Sequence, residues 1–122
     1  MSDFTGSPVN FAKPPRPLHW VFKISDLKAT INLLTILGAR VLRHEEFEEG
    51  CDATCNGPYD SYWSKTMCGW EIEDTSFVFE LTYNYGIDNY RRGNDLEGII
   101  LYKYDKNGQD MEEKMKKEFP ES

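Results

Sequence analysis

The stretch Phe77-Val78-Phe79-Glu80-Leu81-Thr82-Tyr83-Asn84-Tyr85-Gly86 constrains the fold of this chain more than any other. Aromatic and β-branched residues favour a strand, and the glycine stops it. Glu80 stands in the middle of that strand, where a carboxylate withdrawn from water is costly unless something pairs with it. Earlier in the chain, Leu18-His19-Trp20-Val21-Phe22-Lys23-Ile24 reads as a second strand. Its alternation puts His19, Val21 and Lys23 on one face and Trp20, Phe22 and Ile24 on the other. One histidine and one glutamate on two strands of a sheet are half of a metal site. Taken alone, such a pair is more often a polar contact than a ligand set, so the existence of the other half decides the reading.

Composition narrows the classes. A length of 122 residues predicts a single domain, and 39% hydrophobic with 14% aromatic residues supplies a core. No apolar run approaches the length of a membrane span. The first residues, with Asp3, show neither a secretory nor a transit pattern, so the expectation is a soluble cytoplasmic protein, with a mitochondrial location lacking its signal. A net charge of −7 disfavours nucleic acid as a partner, because such binding neutralises phosphates with Lys and Arg. The cysteines are Cys51, Cys55 and Cys68, an odd count that predicts reduced thiols in a loop and a strand. Together with His44 they fit no zinc pattern, because the paired C-x-x-C knuckle is missing.

Residues 1–16, with Gly6, Pro8, Pro14 and Pro15, read as a flexible or extended arm. After the first strand, Ser25-Asp26 caps a helix over 26–37 with Leu27, Ile31 and Leu34 as its apolar stripe, and Gly38 ends it. A strand over 40–44 follows. The glutamate run 45–49 and the Gly/Pro/Asp-rich segment 50–61 read as a long surface loop with Phe47 turned inward. Further strands are predicted over 63–70 and 76–84, separated by a turn at 71–75. The order is thus β-α-β-β-β. A connector over 87–95 leads to a fifth strand over 98–104, turn chemistry at 105–108, and a helix over 109–118 with Met111, Met115 and Phe119 on one face.

A β-α-β-β-β unit with His on its first strand and Glu on its last resembles the module of the vicinal oxygen chelate superfamily, of which glyoxalase I is the best-known enzyme. The likeness lies in Leu18-His19, Asp26-Leu27, Leu37-Gly38, Val41-Leu42-Arg43 and Glu80-Leu81-Thr82-Tyr83-Asn84-Tyr85-Gly86. Loop sequence that no fold requires adds to it. Leu42-Arg43-His44-Glu45-Glu46-Phe47-Glu48-Glu49-Gly50-Cys51, Cys55-Asn56-Gly57-Pro58-Tyr59-Asp60 and Trp63-Ser64-Lys65-Thr66-Met67 resemble the glyoxalase domain-containing protein 4 family. The resemblance covers about residues 16–101 and implies an α+β fold. Residues 17–104 would be the glyoxalase-like domain, with a first module over 17–86 and the start of a truncated second module, a strand plus a helix, over 96–104 and 105–122.

The resemblance also implies a metal site built by two modules. His19 and Glu80 fall on the two ligand positions of the first. Gly98 stands where the second module would place a histidine, and the chain ends before the strand that would carry a glutamate acting as ligand and base. His44 and Glu97 are the substitutes within reach of the reading, though strand alternation turns Glu97 away from the Gly98 position. The metal in such a site, zinc or nickel, acts as a Lewis acid while a carboxylate moves a proton. Two expectations follow. One is a non-catalytic glyoxalase-like protein acting by binding or regulation. The alternative is a metal-dependent lyase or isomerase of the lactoylglutathione lyase type, acting on a thiol adduct, with Glu80 catalytic and the site completed in a homodimer or against another glyoxalase-like chain. Neither the 45–49 run nor Asp105-x-Asn107-Gly108 has the ligand alternation of a calcium loop, and no phosphate loop or nucleophile elbow is present.

Overall fold

A computed structural model describes residues 14–102, Glu113 and Lys116–Glu118. Its elements are β1 (His19–Ile24), α1 (Leu27–Ile36), β2 (Arg40–Phe47), β3 (Trp63–Gly69) and β4 (Val78–Asn84). The strands form one sheet in the order β1-β4-β3-β2, with β1 parallel to β4 and the other two pairs antiparallel. The architecture is α+β. The parallel β1/β4 pair needs a crossover, and α1 begins it on one face of the sheet.

The helix starts where Asp26 accepts a hydrogen bond from the Ala29 amide at 2.9 Å, and Thr30 Oγ1 donates to the Asp26 carbonyl at 2.7 Å. It ends at Gly38, whose φ of 95° is open to glycine at little cost. Trp70 Nε1 donates to the freed Leu37 carbonyl at 2.9 Å. Leu34 on α1 packs with Ala39, Cys68, Phe79 and Leu81 to form the core, with Phe22, Ile24, Leu27, Ile31 and Phe77 around it. Edge-to-face ring contacts run from Trp20 through Phe77 and Phe22 to Phe79. The face of the sheet bearing Phe22, Phe79, Leu81 and Cys68 is therefore the helix-covered one.

Three expectations need correction. First, β2 runs on to Phe47, so Glu45–Phe47 is strand and not loop. Glu45 pairs across the ladder with Lys65, and Glu46 accepts from the Tyr85 hydroxyl, which makes an acidic edge strand tenable. Phe47 is turned inward, stacked on Trp63 at 4.3 Å between centroids. Second, Gly98–Tyr102 is not strand, and Ile100 and Tyr102 are 79% and 74% exposed. Apolar β-propensity forms no strand without a ladder partner, and none of the four described strands takes this segment. Third, Cys51 and Cys55 are joined in a disulfide, while Cys68 is a free, buried thiol. A turn in which the Thr54 amide donates to the Cys51 carbonyl at 2.8 Å brings the two Cα atoms to 5.5 Å, within bonding reach. Residues 1–13, the 103–112 segment and the side chains of Met111, Met115 and Phe119 lie outside the described residues.

Candidate functional site

In a sheet, residues paired across a ladder share a face. Val21 pairs with Glu80, which pairs with Met67, which pairs with Arg43. His19 lies two residues before Val21, so His19, Glu80 and Arg43 all stand on the face opposite the helix. His19 Nε2 is 3.4 Å from Glu80 Oε1, with the histidine side chain 38% and the carboxylate 12% exposed. Glu80, intrusive in an apolar strand, has its partner in the neighbouring strand's first residue.

Arg43 anchors the same patch. Its guanidinium donates to Glu73 through Nε at 2.8 Å and Nη2 at 3.2 Å, and it also contacts Glu45. Those bonds hold the Glu73 carboxyl below the usual carboxylate range, with the field of Arg43 and then of His19 acting in the same direction. Glu73 in return, and more weakly Glu80, keep Arg43 firmly protonated. Next along the face, Lys23, Thr82 and Lys65 form a cross-strand row. Thr82 is fully buried and its Oγ1 has no protein hydrogen-bond partner. Asn84, two residues further along β4 on the same face and also buried, has a side-chain amide that exchanges hydrogen bonds with Asn56 of the 50–61 loop.

The substitutes suggested by sequence lie elsewhere. His44 pairs with Thr66 and so faces the helix side. There its Nδ1 is 2.7 Å from Thr66 Oγ1 and its Nε2 is 2.8 Å from Glu46. Glu97 is exposed in the irregular 96–102 segment. Sequence reasoning missed Glu73, which sits in a turn, and treated Arg43 only as part of a likeness. The one available signal was that Arg43 has the same strand parity as Glu45 and Phe47; the β-bulge between Val41 and Arg43 breaks the alternation with the earlier part of the strand.

The described residues contain no group of three or more His, Cys, Asp or Glu side chains able to hold a metal. The His19–Glu80 pair alone has suitable spacing, since two donors about 2.1 Å from a tetrahedral ion stand about 3.4 Å apart. The spacing fits a divalent ion, and the donor number falls short of one.

Against known proteins, no family model matches the chain. Over 87 residues it is 60% identical to glyoxalase domain-containing protein 4 of Mus musculus, an alignment covering 70% of this chain and 29% of that protein. The chain belongs to the glyoxalase-domain family. Glyoxalase 1 of Caenorhabditis elegans is 55% identical over 87 residues, again 70% of this chain and 31% of that one. A probable chloroplastic lactoylglutathione lyase of Arabidopsis thaliana is 35% identical over 79 residues, 64% of this chain and 19% of the relative. Among solved structures, the trypanothione-dependent glyoxalase I of Leishmania major superposes with a TM-score of 0.59 at 27% identity, covering 84% of this chain and 66% of that chain. The glyoxalase-like chain thus spans about a third or less of the length of the curated relatives it matches.

Proposed function

We propose that this chain is a glyoxalase-like binding module that supplies one half of a paired site and does not by itself turn over a ligand. The observation carrying this reading is the His19–Glu80 pair, 3.4 Å apart and open to the face that α1 leaves bare, with no third donor grouped with it among the described residues. Proton transfer in this chemistry needs a carboxylate across from Glu80. Among the described residues, Glu45 and Glu73 near that face are engaged by Arg43. The relatives named as lactoylglutathione lyases point to a small thiol adduct as the ligand class. Lys23, exposed on that face beside Thr82, offers its carboxylate a cation.

A divalent ion, zinc or nickel, would supply Lewis acidity if held there. His19 and Glu80 would be its ligands from this chain, and Arg43, fixed by Glu73, would balance the negative charge of the patch. The second reading is a lyase whose site is completed by a second module, in another copy of this chain or another glyoxalase-like chain. It is favoured by β1, which among the described residues pairs only with β4, and by Val21 on it and Leu18 just before it, exposed at 47% and 57%. Two such pairs brought together would give two histidines and two glutamates.

Metal content of the purified chain after incubation with zinc, nickel and cobalt, run beside His19→Ala and Glu80→Ala with the molecular size recorded, separates the readings. Binding in monomer at below stoichiometric level, weakened in both variants, supports a half site. Stoichiometric metal confined to a dimer moves the protein to the lyase reading. Metal bound equally by both variants removes His19 and Glu80 from either.

A further inference from the structure

The 50–61 loop lies at the far end of the candidate site's face, and a buried side chain ties it to the sheet. Asn56 is fully buried. Its Oδ1 accepts from the Cys51 amide at 3.0 Å. Its Nδ2 donates to the Tyr59 carbonyl at 3.1 Å and to Asn84 Oδ1 at 2.9 Å. Its carbonyl accepts from Asn84 Nδ2 at 3.0 Å. Asn84 is the last residue of β4, on the same face as Glu80 and Thr82. One buried amide therefore ties the loop to the strand that carries the site.

The residues just before Asn56 are held by the Cys51–Cys55 bond. Thr54, inside that five-residue ring, has φ 56°, a left-handed conformation that a β-branched residue adopts only when its surroundings impose it. Thr54 lies within the ring that the cross-link closes, and its amide and carbonyl are both bonded within the same turn. Cys51 is half-buried and Cys55 is an exposed residue. Gly50 closes the loop's base so tightly that an added Cβ would stand 2.5 Å from the Tyr59 carbonyl oxygen.

We propose that Cys51–Cys55 is a reversible thiol-redox site whose state sets whether Asn56 stays seated on Asn84, and thereby whether the loop end of the Glu80 face is closed or open. The reductant is a dithiol. Its thiolate attacks Cys55 Sγ, the Cys51–Cys55 bond breaks, and Cys51 leaves as a thiolate that takes up a proton. The reductant's second thiol then displaces Cys55, which is also protonated, and the reductant ends as a disulfide. Two electrons and two protons pass to the chain. The Thr54 strain relaxes once the ring opens, the Cys51 amide loses its fixed position, and the bonds of Asn56 to Asn84 lose their support. This inference is independent of whether metal binds at His19 and Glu80, because the loop's state is read directly.

The test is native-state hydrogen exchange on the full chain in oxidised and reduced dithiothreitol buffers, with iodoacetamide alkylation counted by mass spectrometry. The expected result is no alkylation at Cys51 and Cys55 in the oxidised buffer and two additions there after reduction without denaturant. Exchange at the Cys51 amide, which donates to Asn56, and at the Gly57 amide, which donates to the Thr54 carbonyl, should rise by at least about tenfold on reduction while β3 amides stay protected. The Cys51→Ser/Cys55→Ser double variant should exchange like the reduced chain in both buffers, and Asn56→Ala should open the loop whatever the redox state. Alkylation of both cysteines without reductant, reduction only in denaturant, or reduction that leaves the Cys51 and Gly57 amides unchanged would each overturn the proposal. So would loss of β3 protection on reduction, which would make the bond a structural staple; that readout stands even if the double variant does not fold.

Discussion

Glu46 concentrates most of the short-range electrostatics on the helix side of the sheet. His44 Nε2 and the Tyr85 hydroxyl both reach its carboxylate, at 2.8 and 2.7 Å, and those bonds hold its acid below the usual carboxylate range. The same contact pushes the Tyr85 phenol up, because the neutral hydroxyl is the donor. A carboxyl whose native value is depressed stabilises the fold fully above its unfolded value and loses that contribution as pH falls through the native one. Glu46→Gln should therefore flatten the decline of Tm between about pH 5 and about pH 3 relative to the parent chain. Equal slopes would show that the exposed pair contributes nothing measurable, as many surface ion pairs do. His44 and Glu46 were legible as residues in the sequence. Their partnership was not, because Thr66 and Tyr85 reach them across strands far apart in the chain.

Helix α1 is where local pattern and packing agree. Asp26 caps it, Gly38 releases it, and Leu34 drops into the core against Phe79 and Leu81. Leu34→Ala leaves a space that surrounding strands fill only in part, and the expected cost is about 2–4 kcal/mol. A urea titration should show a lower midpoint with an unchanged slope; a change in slope instead would mean that the variant alters the denatured ensemble or the cooperativity. Strand β2 marks where pattern and packing part. A run of glutamates has poor strand propensity, yet Lys65 and Tyr85 across the sheet keep it extended to Phe47. The segment Gly98–Tyr102 is the reverse case, with strand-forming residues and no described strand to pair with.

At the scale of the whole molecule, one face of the sheet is covered by α1 and the other carries the polar patch of His19, Glu80, Arg43 and Glu73. β1 and β2 are the two edges of the described sheet. The β1 edge exposes Leu18, Trp20 and Val21, and Leu96, Ile99, Ile100 and Leu101 are exposed after the module. Unpaired backbone beside apolar side chains favours association. The expected outcome is a sedimentation coefficient that rises with concentration, and a Val21→Lys variant, charged on the β1 edge, that stays monomeric over the same range. A parent chain that is monomeric throughout would remove pairing between copies as a route to a complete site.

The amino-acid sequence by itself determined the order β-α-β-β-β, the ends of α1, and the two strands that bear His19 and Glu80. Those features follow from side-chain period, caps and glycines, which act over a few residues. It also carried the likeness to glyoxalase domains, in loop segments that no fold rule requires. Tertiary structure alone decided which residues became neighbours. The β1/β4 register put His19 beside Glu80, and the β2/β3 register put Arg43 in the same patch and His44 outside it. The turn at 51–55 closed two cysteines into a disulfide that their spacing did not announce, and Asn56 met Asn84 only once the loop had folded onto β4. The disulfide is a local closure set by the turn, whereas the other pairings are long-range, and a one-residue shift of strand register would have sent the same side chains to the other face.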